Sequence, residues 1–202
     1  MRRSLLITLA LLSCTLLPAQ ERSFLRVGIE WGYGTSPYKY WNKNYMDAEV
    51  GYRVWDESHE SAFYPNAFAG LSLGADISDR LNLAAWTGIM GVYKHRRVMP
   101  LGMRLSFFSN GQKNSGMMYF LDGGAGFPDF FESPLLYFAS LGSGYRVALS
   151  RIFDLDLTFR IRGCYDHPPL WDAEDQIYVE QSNIRKNIAI YGSAEFGIAF
   201  SF

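Results

Sequence analysis

The sequence predicts an all-β fold, an eight-stranded antiparallel up-and-down β-barrel that crosses a bilayer. Three observations lead there. The chain ends in a run from Asn187 to Phe202 that alternates apolar with small or polar residues without a break. Gly (19), Tyr (13) and Phe (15) are abundant, as in β-rich chains whose backbones approach closely. After the N-terminal segment no apolar run reaches the roughly 20 residues of a membrane helix, so only a closed set of strands can carry the chain through lipid.

The last run shows the pattern most clearly. Ile188, Ile190, Gly192, Ala194, Phe196, Ile198, Phe200 and Phe202 share one face, and Ala189, Tyr191, Ser193, Glu195, Gly197, Ala199 and Ser201 the other. A period of two suits a strand and would scramble a helix. Seven similar segments precede it: Phe24–Tyr33, Ala67–Ile77, Asn82–Tyr93, Leu101–Phe108, Ser115–Gly126, Leu135–Ser150 and Leu155–Tyr165. Ser78-Asp79-Arg80, Asn110-Gly111 with its neighbours to Asn114, and Arg151–Asp154 read as tight turns. Lys94-His95-Arg96-Arg97 and Phe127–Ser133 are short connections. The stretches 34–66 and 166–186 read as long loops, the first containing a weakly alternating Glu49–Trp55 that suggests a projecting hairpin arm. An even strand count puts both termini on one side with the tight turns, and the long loops on the other, which is the outer-membrane arrangement.

The N-terminus carries an export signal. Arg2 and Arg3 precede the apolar Leu5–Leu17 and a cleavage region Leu17-Pro18-Ala19-Gln20, so residues 1–20 read as a cleaved signal peptide and 21–202 as the barrel. Leu11-Leu12-Ser13-Cys14 offers a second reading, a lipidation site at Cys14, with a poorer match because Leu directly precedes the Ser. Once the signal is removed, Cys164 is the one thiol and no intramolecular disulfide can form. A net charge of −1 gives no footprint for nucleic acid.

Alternation alone also fits a soluble barrel with an apolar interior. The polar faces decide between the two. All five Lys fall in loops, turns or strand ends, whereas a soluble exterior would carry Lys and Glu along its strands. The polar faces hold Gly, Ala and Ser with Arg26, Arg104, Arg146, Arg160 and Arg162 against Glu30, Asp76, Asp122, Asp156 and Glu195. Equal numbers of each sign suit a narrow lumen in which every charge finds a partner. Trp31, Tyr33, Tyr93, Tyr137 and Tyr165 stand near strand ends on the apolar faces, as interfacial girdles do.

The signal Met1–Gln20, the strand–turn–strand Leu71–Leu83 around Ser78-Asp79-Arg80-Leu81 and the terminal Phe196–Phe202 resemble the small OmpA/OmpX-type outer-membrane barrels. The resemblance covers the whole mature chain as architecture. It implies an outer-membrane location among lipid and lipopolysaccharide, and an aromatic C-terminal strand, here Phe200 and Phe202, recognised by the outer-membrane insertion machinery. Members of that group include adhesins, structural barrels and lipid-modifying enzymes, so it does not assign a function.

Among chemistry-bearing groups, His59-Glu60-Ser61 has the His-x-Ser spacing of lipid A deacylases but lies in the first long loop, where nothing holds a nucleophile and base in geometry. His167, Asp172, Glu174 and Asp175 form an acidic loop without the spacing or Gly of a calcium site. Lys94, Arg96 and Arg97 stand at the outer rim, where they would meet lipopolysaccharide phosphates. Tyr38, Tyr40, Trp41, Tyr45 and Trp55 make the first loop a candidate surface for an envelope partner. No cofactor or metal is expected. The sequence thus favours a non-enzymatic barrel with a structural or partner-binding role; a lipid-modifying enzyme and a small pore are the alternatives.

Overall fold

The computed structural model describes residues 25–47, 51–94, 96–128, 134–150, 152–172 and 177–202. The signal region with Cys14, His95, Arg151, Glu174, Asp175 and most of the Phe127–Ser133 connection lie outside them. Eleven strands follow in order: β1 Leu25–Met46, β2 Arg53–Glu60, β3 Tyr64–Ser78, β4 Leu81–Tyr93, β5 Arg96–Phe108, β6 Gly116–Pro128, β7 Leu136–Ala148, β8 Asp154–Asp166, β9 Trp171–Asp172, β10 Ile177–Tyr178 and β11 Ile184–Ser201. The sheet order is β11-β8-β7-β6-β5-β4-β3-β1, and β1 pairs back onto β11. That closes an eight-stranded antiparallel barrel and leaves it no edge in the wall. Phe202 and Val27 exchange backbone hydrogen bonds of 2.9 and 3.2 Å at the seam.

The alternation read from the sequence sets which way each side chain points. Leu25, Val27, Ile29, Leu71, Leu73, Leu101, Leu121, Leu141, Ile161 and Ile198 lie on the outside, and Trp31, Tyr33, Tyr137 and Tyr165 join them there. A closed barrel with such an exterior is soluble in lipid rather than water. Tyr93 differs: it is 4 % exposed and points inward, because a register shift between Gly91 and Tyr93 turns the last residue of β4 over. It stacks on Tyr191 and meets the edge of Tyr64.

The stretch 34–66 is not a loop. β1 runs on past the barrel wall to Met46, and β2 returns beside it, Lys39 opposite Glu60 through Met46 opposite Arg53. On the other side of β1, β11 follows it up to Ile184. The result is a three-stranded arm, β2-β1-β11, longer than the hairpin that Glu49–Trp55 suggested. A bulge between Thr35 and Tyr38 shifts the phase by one residue. Below it the even-numbered residues of β1 face the lumen; above it Lys39 and Trp41 do, opposite the inward Tyr191 and Ala189. The described residues of the stretch 166–186 include β9, β10, a 3-10 turn at Gln181–Asn183 and the first residues of β11.

Tight turns close the opposite end. Ser78 Oγ accepts from the N–H groups of Arg80 and Leu81. Gly111 takes φ +81°, the left-handed conformation that the Asn-Gly turn requires. The next residue, Gln112, tucks beneath the barrel: its N–H donates to Asp79 O at 2.7 Å and its Nε2 to Ser78 O and Leu81 O at 2.6 and 2.9 Å.

Candidate functional site

Inward-pointing residues fill the lumen in layers. The central layer is ionic. Arg104, on β5, reaches across to Glu30 on β1 at 2.7 Å while holding Asp122 of the neighbouring β6 at 2.8 Å. Arg160, on β8, approaches the same two acids at 3.3 and 3.6 Å and Glu195 at 3.5 Å, and Arg162 completes the set on Glu195 at 2.8 Å. Ser140 Oγ donates to Asp122. Glu195 thus finds Arg160 and Arg162, and Arg26 is occupied elsewhere. Phe68 lies 4.0 Å from the Arg160 guanidinium and Phe120 4.8 Å from that of Arg104, so aromatic faces cover what the carboxylates leave.

Nearer the tight turns lies a second ionic layer. Arg26 takes Asp76 at 3.0 Å and Asp154 at 3.1 Å, and Arg146 takes Asp156 at 2.6 Å and Asp154 at 3.5 Å. All ten charges picked out by the alternation are therefore in the lumen and paired. Asp154, which the sequence placed in a turn, is an eleventh; it opens β8 and is buried. Its position just before Leu155 continues the inward series Asp156, Thr158, Arg160, and that parity was the available signal. Gln112 O accepts from Arg146 at 3.2 Å, so the tucked turn caps this layer. Within it a cavity of about 60 Å³, with room for a few waters, is lined by Arg26, Ser72, Asn82, Arg104, Ser106 and Arg146 among others.

Toward the arm the lumen turns apolar. Phe68, Trp86, Met90, Val98, Leu136, Phe138, Cys164 and Tyr191 form one buried cluster, with Trp41 packed on it. The charged and small polar faces predicted a polar interior and gave no sign of this plug. Above the plug, Arg96 and Asp166 bridge the mouth at 2.6 and 3.0 Å.

The three cations proposed to meet lipopolysaccharide divide. Arg96 is committed to Asp166. Lys94 lies 3.3 Å from Glu60, with Lys39 at 4.0 Å from the same carboxylate. Arg97 points outward and is exposed, and Lys94 is exposed as well. The Glu60 carboxyl is held below the usual carboxylate range, first by the hydrogen bond from Tyr64 (2.8 Å) and then by Tyr93 and Lys94, against a burial penalty. Burial pushes Lys39 down, Lys94 and Lys43 add to this, and Glu60 opposes it.

The aromatic set of the first loop divides. Tyr45 is buried, and Trp41 is half-buried, its Nε1 donating to Asn187 at 2.9 Å. Tyr40 donates to Glu57 at 3.0 Å. Tyr38 and Trp55 remain exposed, Trp55 at 74 %. His59 stands on a strand, β2, rather than in a loop; its ring lies 4.9 Å from that of Tyr40 and its Nδ1 3.4 Å from the Tyr38 hydroxyl. Ser61 lies beyond the end of β2. At the other end of the chain, Phe200 and Phe202 both pack on Phe153, with ring centroids 5.2 Å apart in each case. Among the described residues no three His, Cys, Asp or Glu side chains converge as metal ligands would.

The architecture is that of a small outer-membrane β-barrel. The wall is closed, the exterior apolar and the interior charged and paired. No protein-family model and no curated protein matches the sequence. Solved structures similar to it include Neisserial surface protein A (13 % identity, TM-score 0.43, covering 88 % of this chain and 96 % of that one). The outer membrane protein OprG from Pseudomonas aeruginosa is 11 % identical at TM-score 0.49, covering 90 % and 97 %. The outer membrane protease OmpT from Escherichia coli is 11 % identical at TM-score 0.34, covering 88 % and 97 %.

Proposed function

We propose that this protein is a non-enzymatic, non-conducting barrel of the outer membrane, exported by its N-terminal signal, which holds a binding arm away from the bilayer. The observation that carries the reading is the filled lumen. Two ionic layers, an apolar plug and the Arg96–Asp166 bridge succeed one another along the axis. Such an interior ties non-adjacent strands together and suits a rigid support. The β2-β1-β11 arm then supplies the part that differs from a bare barrel, with Trp55, Tyr38 and Tyr52 exposed for a partner. Both termini face the periplasm, and Phe200 and Phe202 serve as the assembly signal.

The test uses the purified protein reconstituted in planar bilayers and the intact envelope. A silent bilayer, heat-modifiable gel migration and recovery with outer membranes are the expected results. Steady conductance would overturn the filled-lumen reading. A change in lipid A on Ser61→Ala or His59→Ala, seen by mass spectrometry, would overturn the non-enzymatic one.

A further inference from the structure

The strand β2 leaves one edge unpaired. It pairs with β1 alone and stands at the end of the sheet order, so among the described residues no strand covers its other side. The hairpin hydrogen bond from Asp47 N–H to Tyr52 O points the backbone groups of Tyr52 at β1. Antiparallel ladders alternate, so Val54, Asp56 and Ser58 also point theirs at β1, while Arg53, Trp55, Glu57 and His59 point theirs away. The same four residues carry the exposed side chains of the strand. A free backbone edge and an exposed face therefore coincide on Arg53, Trp55 and Glu57.

Charges often blunt an open edge. Here they are self-complementary: Arg53 and Glu57 flank Trp55 at equal distance with opposite sign. We propose that β2 pairs antiparallel with β2 of a second copy of this chain, about a two-fold axis at Trp55. In this register Trp55 stands opposite the second copy's Trp55. Arg53 stands opposite the second copy's Glu57, and the reverse pair forms on the other side of the axis, all on one face. The residues brought opposite one another are those whose N–H and C=O groups are free to form the ladder. Centring on Arg53 would oppose two guanidiniums, and centring on Asp56 or Glu57 two carboxylates. Existing bonds already hold both charges: Arg53 Nε donates to Asn44 at 2.8 Å, and Glu57 accepts from Tyr40 and Asn42 at 3.0 and 3.4 Å.

The inference rests on the proposed outward-facing arm and names its partner. β1 runs away from the membrane, and an antiparallel ladder points the second barrel the opposite way. The pairing therefore fits copies in two apposed membranes, not neighbours in one. One strand is a small contact, so single pairs are reversible and many act together between surfaces.

The experiment measures mass in detergent by analytical ultracentrifugation over a dilution series, and clustering of proteoliposomes by turbidity. The expected result for the unaltered protein is a shift from one protomer to two with concentration, and clustering. Arg53→Glu or Glu57→Arg alone should abolish both, and the double swap should restore both. Trp55→Pro, which removes the central free N–H without touching the β1 ladder, should also abolish them. A protein monomeric throughout, association indifferent to the single reversals, or a double swap that recovers nothing would overturn the proposal. Heat-modifiable migration is read for every sample, so a folded but monomeric barrel refutes the pairing and leaves the barrel reading standing.

Discussion

Arg96 and Asp166 face each other across the mouth nearest the arm from β5 and β8, strands that are not neighbours in the wall. Two hydrogen bonds join them, and Asp166 is fully buried and also accepts from the His167 N–H at 2.8 Å. Two charges withdrawn from water in this way are costly to separate. Arg96→Ala would leave the Asp166 carboxylate buried without its cation. The expected loss is about 3 kcal/mol, at the lower end for a buried pair because Arg96 keeps some exposure to water. Unfolding by urea in detergent measures it.

Glu30 is the node of the central layer, since it accepts from both Arg104 and Arg160. Groups that share a partner do not act independently. Glu30→Gln and Arg104→Met should each destabilise by roughly 3 kcal/mol, and the double replacement by clearly less than the sum, because each single change leaves a charge behind. A double-mutant cycle in the same urea titration checks this. Strict additivity would show that the two side chains do not share their stabilisation.

Much of this interior was legible in the sequence because a strand offers one simple rule. With period two, a single apolar face fixes the direction of every other residue, so Arg26, Glu30, Asp122 and Glu195 could be placed before any partner was known. The rule fails where the phase changes. The bulge after Thr35 and the shift at Tyr93 each move a side chain to the opposite face; Pro37, which has no N–H for a ladder, marks the first, and no residue type announces the second. Pairing across the lumen was illegible for another reason: Arg96 meets Asp166, 70 positions away, through the closure of the barrel. The arm was hidden by composition, since polar and aromatic residues such as Asn42, Asn44 and Trp55 read as loop although β1 is held extended by its ladder with β11, and β2 by its ladder with β1.

Acid should loosen the junction between the arm and the rim. Glu60 lies outside the barrel wall and its carboxyl titrates below the ordinary value, chiefly because Tyr64 donates to it. A carboxylate with a lowered pKa contributes stability above its unfolded value of about 4.3, and that contribution fades as pH falls through the folded value. The carboxyl resonance of Glu60, followed by carbon-13 NMR, is expected to titrate below about 4.3. Tyr64→Phe should move it upward, and no movement would show that the hydrogen bond is not the cause.

Two glycines at opposite sides of the wall separate lumen packing from lipid exposure. Gly142 faces the lumen, and a methyl group there would run into the Phe120 ring. Phe120 is itself buried under Arg104, at 4.8 Å, so it cannot step aside without disturbing the ionic layer. Gly142→Ala is therefore expected to cost about 2 kcal/mol by overpacking. Gly163 faces outward, with nothing within 4 Å of the place its Cβ would take. Gly163→Ala should leave stability unchanged or raise it by about 0.5 kcal/mol through the unfolded chain. Urea midpoints of the two variants, measured side by side in detergent, give the comparison. Equal losses at both positions would mean that the lumen does not constrain Gly142 more tightly than lipid constrains Gly163.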